Sequence, residues 1–226
     1  SYLIIDLASL SLPLLFSFHP KLNYHKEWKR LFQGIFVMLC IFIPWDVYFT
    51  SLGVWGFNDR YITGLNLIHL PIEEWLFFLC IPFSSIFIYH IVSINNRTII
   101  NPNVYRWSCL FMGITILIIA LSNTNKFYTL SAFVLCGALL ILYSRKKIFN
   151  RSPKFLPAYI IVLLPFFIVN GLLTGSWIED EIVWYNSAEM LNIRIGTIPV
   201  EDVFYGMAML LVIVLIKDKK KVTTVK

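Results

Sequence analysis

The chain has 226 residues, of which 58% are hydrophobic and only 14% are charged. Soluble domains carry about 45–50% apolar and about 25% charged residues, so this composition excludes a soluble enzyme or a nucleic-acid-binding module as an account of the whole chain. It also excludes a disordered tail. The expected solvent of this chain is lipid.

Seven apolar runs can be cut from the chain in order. A membrane-spanning helix needs about 20 mostly apolar residues, and lipid offers the backbone no other hydrogen-bond partner than the helix itself. The predicted fold is therefore all-α, a polytopic membrane protein with about seven transmembrane helices. The predicted spans are residues 2–18, 31–50, 71–94, 105–122, 127–143, 156–174 and 199–216. The first run lacks a basic n-region and a small-residue cleavage site, so it is interpreted as a span and not as a signal peptide.

The basic residues separate the connections into two classes. Residues 19–30, 95–106, 144–155 and the tail after 216 hold 16 of the 19 Lys and Arg residues. Because Lys and Arg accumulate on the cytoplasmic side, we expect the N-terminus outside and the C-terminus inside. The net charge of +6 is then explained by juxtamembrane anchors, and no nucleic-acid partner is expected.

Most acidic residues map to the opposite side, in the outer loops or at the outer ends of the spans. Five of them lie within or against apolar runs: Asp46, Glu73, Glu74, Glu201 and Asp202. Ionisable residues at membrane depth are costly and by default indicate a functional site.

Two stretches of the chain look alike. Each has a span, a loop of about 20 residues with Trp and Asn, and a span that opens Pro-x-acid-acid, at Pro71-Ile72-Glu73-Glu74 and Pro199-Val200-Glu201-Asp202. One copy alone is accounted for as a helix start, since Pro and acids suit the first turn. Two copies favour a function, and duplicated halves of membrane proteins place a shared site between them.

We therefore predict a 3+1+3 tandem duplication. The first repeat is 1–94 (spans 1–3), span 4 lies in the linking segment 95–125, and the second repeat with its basic tail is 126–226. The halves are not equivalent, because Asn170 stands at the position that matches Asp46.

The acidic pairs suggest proton chemistry. Two close carboxyl groups in a water-poor pocket cannot both ionise cheaply, so one would stay protonated as an acid while another acts as a base. Aromatic ring faces would stabilise a cation formed between them. These are the parts needed for carbocation cyclisation of a polyene.

The same residues resemble a known family. The two Pro-x-acid-acid motifs with their following aromatics, together with Pro44-Trp45-Asp46 and Trp55-x-Phe57-Asn58, are similar to the small integral-membrane lycopene cyclases. That family occurs as two bacterial subunits, as fused chains and as the cyclase half of a fungal bifunctional protein, and this chain resembles the fused form. The resemblance implies redox-neutral, acid-initiated cyclisation of the ψ-end groups of lycopene to β-rings, giving γ-carotene and then β-carotene. It also implies an integral protein of the bacterial cytoplasmic membrane.

Carried onto this chain, the resemblance gives candidate residues but does not separate acid from base. The catalytic candidates are Glu73, Glu74, Glu201, Asp202 and Asp46. The candidate substrate-binding residues are Trp45, Trp55, Phe57, Asn58, Phe77, Phe78, Trp177 and Tyr205.

Lycopene and the lipid bilayer are the expected partners, with other membrane enzymes of the carotenoid pathway as further candidates. The ten glycines never form GxGxxG, so no dinucleotide fold and no tightly bound cofactor are expected. The four cysteines and four histidines do not cluster, so no metal site is expected.

Three other functions compete with cyclisation at this point. A small 3+1+3 transporter with proton-coupled carboxylates is the main alternative, because paired carboxyl groups also serve proton relays. A retinal-binding protein would need a Lys in the last span, and 199–216 contains none. A non-catalytic assembly factor would not need the duplicated acids.

Overall fold

The computed structural model describes residues 1–95 and 101–219, and these are mostly helical. The helices are α1 (Tyr2–Phe16), α2 (Trp28–Ser51), α3 (Ile72–Ile94), α4 (Pro102–Leu121), α5 (Phe127–Tyr143), α6 (Lys146–Phe149), α7 (Phe155–Leu173) and α8 (Val200–Lys217). Short strands lie in the connections: β1 (Trp55–Phe57), β2 (Asn66–Leu67), β3 (Leu70–Pro71), β4 (Val183–Tyr185), β5 (Arg194–Ile195) and β6 (Ile198–Pro199). Four of the basic residues used to predict the orientation lie outside the described ranges: Arg97, Lys220, Lys221 and Lys226.

Every predicted apolar run coincides with a helix. Among the described residues, four stretches are long and apolar enough to cross a membrane: Tyr24–Ser51, Ile72–Ile94, Pro102–Leu121 and Phe155–Leu173. Tyr2–Phe16 and Phe127–Tyr143 are shorter apolar helices. The 18 residues of α8 include Glu201, Asp202 and Lys217. The chain thus has the helices of a polytopic membrane protein.

The prediction of an entirely helical chain is too simple. Both long connections fold into short antiparallel strand pairs, β2 with β3 and β5 with β6. Buried backbone N–H and C=O groups need partners, and these connections meet that need in strand pairs instead of a further helix. Each pair ends at a proline, Pro71 or Pro199, and the next residue starts α3 or α8.

The connections gather at two opposite ends of the helix bundle. At one end, the Tyr2 N–H donates to the Tyr61 carbonyl and the Lys126 ammonium donates to the Met190 carbonyl. At the other end, the Lys217 ammonium lies 3.2 Å from the Glu27 carboxylate. We call the first of these the carboxyl end, because the buried acids of both Pro-x-acid-acid motifs lie there.

The same backbone contacts recur 128 residues apart. The Ile72 N–H donates to the Leu65 carbonyl at 2.8 Å, and the Val200 N–H donates to the Ile193 carbonyl at 2.9 Å. The two hairpins, β2–β3 and β5–β6, occupy the matching positions. Residues 54–74 and 182–202 are therefore equivalent in conformation.

Strands β1 and β4 pair with each other across the carboxyl end and form what we call the β1–β4 ribbon, residues 55–57 and 183–185. The register places Gly56 opposite Trp184, residues that are themselves 128 apart. The ribbon therefore joins equivalent segments around a local two-fold relation.

Gly56 is required by this pairing. A Cβ atom at position 56 would lie 2.3 Å from the Trp184 ring, closer than any side-chain contact allows.

We expect Gly56→Ala to displace the Trp184 ring and destabilise the fold by about 1–3 kcal/mol, because overpacking of a fitted contact costs that much. Thermal unfolding in detergent would show a lower midpoint. The matched control is Gly171→Ala on α7, where the nearest atoms would lie at an ordinary 3.4 Å. Equal midpoints for the two variants would contradict this account of the ribbon.

Candidate active site

A cavity of about 440 Å³ lies between α1, α3, α7 and α8, with the β1–β4 ribbon and residues of α2 and α5 at its carboxyl end. Most of its lining is apolar. Three carboxyl side chains line it, and they come from both halves of the chain: Asp46 on α2, Glu74 on α3 and Asp202 on α8.

The first two carboxyl groups form a pair. The side chains of Asp46 and Glu74 interact directly with each other. The site is dry, since Asp46 is only 1% exposed to solvent. Two carboxyl groups in contact in an apolar site cannot both carry a charge cheaply. One proton held between its members would relieve this cost.

The surrounding donors decide which member is the stronger acceptor. The Asp46 Oδ1 atom accepts hydrogen bonds from the Trp55 indole N–H at 2.6 Å and the Thr50 hydroxyl at 3.4 Å. The Glu74 Oε2 atom accepts one hydrogen bond, from the Tyr2 hydroxyl at 2.7 Å. Because hydrogen-bond donors favour the charged form, this arrangement stabilises a carboxylate on Asp46 and a proton on Glu74.

Asp202 stands in a different environment. Its Oδ1 atom accepts a hydrogen bond from the Tyr128 hydroxyl at 2.5 Å, and its Oδ2 atom accepts from the Tyr185 hydroxyl at 3.0 Å and the Asn170 amide at 3.5 Å. Burial and the neighbouring Asp202 carboxyl raise the pKa of the Tyr185 phenol well above its usual value, so Tyr185 remains a donor at neutral pH. Three donors on one carboxyl group favour the ionised form.

The other member of each acidic motif points elsewhere. Glu73 and Glu201 are both 0% exposed, yet neither lines the cavity. The Glu73 Oε1 atom accepts the Thr63 N–H at 2.7 Å, and the Glu201 Oε1 atom accepts the Leu191 N–H at 2.7 Å. Each of these carboxyl groups ties down the connection that precedes its own helix.

The predicted aromatic residues likewise divide into those that line the cavity and those that do not. Four line the cavity: Trp55, Phe57, Phe77 and Tyr205. Trp45 packs behind the Tyr205 ring with centroids 5.0 Å apart, and Phe78 packs on Phe77 at 5.9 Å. These two residues support the lining without being part of it.

Two predicted residues lie away from the cavity. Trp177 is 77% exposed and does not line it. Trp177 is not the counterpart of Trp55, because the strand equivalent to β1 is β4, which begins six residues further along the chain. Asn58 shapes the outer connection instead, through its backbone N–H to the Ile182 carbonyl at 2.9 Å and its amide to the Glu181 carbonyl at 3.2 Å.

Sequence reasoning missed the tyrosines that donate to the carboxyl groups. Tyr2 and Tyr128 stand in the first turns of α1 and α5, and each reaches an acid more than 70 residues away. A tyrosine at the start of both span 1 and span 5 is the sequence pattern that could have indicated them. Tyr185 lies in β4, whose pairing could not be read from the chain.

No group of three His, Cys, Asp or Glu residues is placed to hold a metal ion within residues 1–95 and 101–219. His69 lies at the tip of the β2–β3 hairpin, is exposed, and does not line the cavity.

A structural role for Glu201 can be tested through its second donor, the fully buried Thr129, whose hydroxyl donates at 2.6 Å. We expect Thr129→Val to lower the free energy of unfolding by about 1.5–3 kcal/mol, the usual contribution of a hydrogen bond to a charged group. Thermal unfolding in detergent measures it. The matched control is Thr115→Val on the exposed face of α4, which should unfold like the wild type. Unchanged stability in Thr129→Val would contradict this role.

Comparison with known proteins agrees with the resemblance of the motifs. The family model described as lycopene cyclase matches residues 1–92 and 125–218. A stretch of 76 residues is 29% identical to the bifunctional lycopene cyclase/phytoene synthase of Phaeosphaeria nodorum. That match covers 34% of this chain and 13% of the fungal protein. No solved structure matches the chain. With most of its length matched by the family model, the chain belongs to the lycopene cyclase family.

Proposed function

We propose that this chain is a membrane enzyme that converts the linear ψ-end groups of lycopene to β-rings by acid-initiated cyclisation without net redox change. Membership of the family implies carotenoid cyclisation, and the product and mechanism are our proposal. The observation that supports it best is the placement of Asp46, Glu74 and Asp202 at one end of a cavity that is otherwise apolar and aromatic.

The reaction begins with a proton from the acidic pair. Glu74 donates its proton to C2 of the end group, which leaves a cation at C1. Loss of the proton leaves a second negative charge on the pair. The cation formed in the same cavity compensates this added charge, while Trp55 and Thr50 donate to Asp46. A water-poor site keeps this acid neutral until the substrate is bound, and it prevents water from intercepting the cation that forms.

Ring closure follows without further help from a charged group. The electron pair of the C5–C6 double bond forms the new bond between C6 and C1, and the cation moves to C5. The faces of Trp55, Phe77 and Tyr205, which all line the cavity, stabilise this charge by cation–π attraction.

Asp202 ends the reaction. It accepts the proton from C6, which restores the C5–C6 double bond and leaves a neutral β-ring. Its three hydrogen-bond donors favour the ionised form that this step needs. One proton enters the substrate and one leaves it, so atoms and charge balance and no oxidant or reductant is needed. The cavity offers charged groups at its carboxyl end alone, an arrangement that suits cyclisation better than passage of a polar solute.

We further propose that the two acidic motifs belong to tandem repeats, 1–94 and 126–226, joined by 95–125. Contacts that recur 128 residues apart support this. So does the match of the family model in two segments on either side of residues 93–124. The site then lies between the repeats, with the acid from the first and the base from the second.

The proposed orientation in the membrane follows from charge. Residues 19–30 and 144–155, rich in Lys and Arg, lie at the end of the bundle opposite the carboxyl end, where Lys217 also lies. Because basic residues favour the cytoplasm, we place the carboxyl end and the N-terminus outside, with seven helices crossing the bacterial cytoplasmic membrane.

The function is tested by expression in a bacterium that accumulates lycopene, followed by chromatography of the extracted pigments. We expect lycopene to be replaced by cyclic products. Unchanged lycopene despite confirmed expression in the membrane would overturn the proposal.

In the same assay, substitution of a carboxyl group that lines the cavity should reduce activity more than substitution of its neighbour in the motif. We expect Glu74→Gln and Asp202→Asn to lower ring formation by about 100-fold or more, since a positioned general acid or base contributes at least that much. Glu73→Gln and Glu201→Gln, one position away on the same helices, are the matched controls and should retain more activity per folded protein. Equal losses in both sets would show that orientation towards the cavity does not matter.

A further inference from the structure

The cavity extends far beyond the carboxyl groups. On α3 its lining runs from Glu74 to Ile88, a rise of about 21 Å at 1.5 Å per residue. Along this length the other lining side chains on α3 carry no charge. The cavity is therefore a narrow apolar channel with its acid groups at one end.

Both repeats deliver their carboxyl groups to that same end. Asp46 and Glu74 come from the first half and Asp202 from the second, and all three line one cavity. The second half has Asn170 where the first has Asp46, and this amide donates to Asp202. Neither half therefore holds a complete set of acid pair and base, and the two motifs make one site instead of two.

The channel also reaches the outer surface of the helix bundle. Leu12 on α1 and Ile168 on α7 line the cavity, yet they are 63% and 51% exposed. Ala8, one turn before Leu12, lines it and is exposed as well. We call this opening the α1–α7 mouth, defined by residues 8, 12 and 168.

The carboxyl end itself is covered. Trp55 and Val183 of the β1–β4 ribbon line the cavity and are 6% and 8% exposed. The cavity is thus closed by the ribbon at the carboxyl end and open through the apolar α1–α7 mouth at its side.

From this geometry we infer that the linear polyene enters end-first from the lipid through the α1–α7 mouth, and that each binding event cyclises one end group. The inference rests on the proposed function. A molecule with two identical ends can bring only one of them to the single set of carboxyl groups, so the other end stays in the apolar channel or in the mouth. A second cyclisation requires release into the lipid and binding in the reverse direction.

The mouth is tested by adding bulk at its rim and at matched positions away from it. We expect Leu12→Trp to slow cyclisation in proteoliposomes severalfold. Leu15→Trp, on the same helix, 70% exposed and outside the lining, should keep the wild-type rate. Ile168→Trp with its control Ile161→Trp, 49% exposed and also outside the lining, repeats the comparison on α7. Rim variants as active as their controls on both helices would overturn admission through this mouth.

The number of rings formed per binding event is read from the time course of the wild-type protein with lycopene in large excess. We expect monocyclic product first and bicyclic product only after a lag, with a monocyclic share that grows as lycopene excess rises. Bicyclic product from the first turnover, in a share independent of lycopene excess, would overturn the inference while leaving the proposed function standing. Absence of any cyclic product would overturn both.

Discussion

Burying carboxyl groups in an apolar membrane cavity is the costliest feature of this fold, and the contacts around the cavity are arranged to offset it. An unpartnered buried charge costs several kcal/mol, so each acid that faces the cavity has specific donors or a partner. Tyr2 on α1 reaches Glu74 on α3, and Tyr128 on α5 reaches Asp202 on α8. The same bonds hold the helices of each half together, so the site and the bundle stabilise each other.

The β1–β4 ribbon extends this arrangement across the two halves. Trp55 and Tyr185 are direct partners in its register, and they donate to Asp46 and Asp202 respectively. One pair of neighbouring residues therefore orients a carboxyl group in each repeat. A shift of the ribbon would disturb both carboxyl groups at once, and the close packing of Trp184 on Gly56 lies at its centre.

The divergence of the halves gives a single site two kinds of carboxyl group. Asp46 and Glu74 are neighbouring carboxyl groups, whereas Asp202 accepts hydrogen bonds from three neutral donors. Part of this difference lies at Asn170, which offers Asp202 an amide donor where Asp46 offers Glu74 a second carboxyl group.

The sequence predicts the helices and the family well but only half of the site. Hydrophobic length places all seven apolar runs on helices to within a few residues, because lipid leaves the backbone few alternatives. It cannot say which acid of each motif faces the cavity, since adjacent helical residues point about 100° apart and only packing selects one. By sequence alone, Glu73 and Glu201 are equal candidates; in the structure they accept hydrogen bonds from the backbone N–H groups of Thr63 and Leu191 instead of lining the cavity. The strand register that removes Trp177 from the lining likewise depends on long-range pairing.

The most direct test of acid-initiated cyclisation is the isotope content of the ring. The protein is equilibrated in D₂O, supplied with lycopene under single-turnover conditions, and the product is examined by mass spectrometry. If an exchangeable acid in the cavity protonates the end group, each ring carries one deuterium, retained at C2. Rings that form without deuterium would contradict the account.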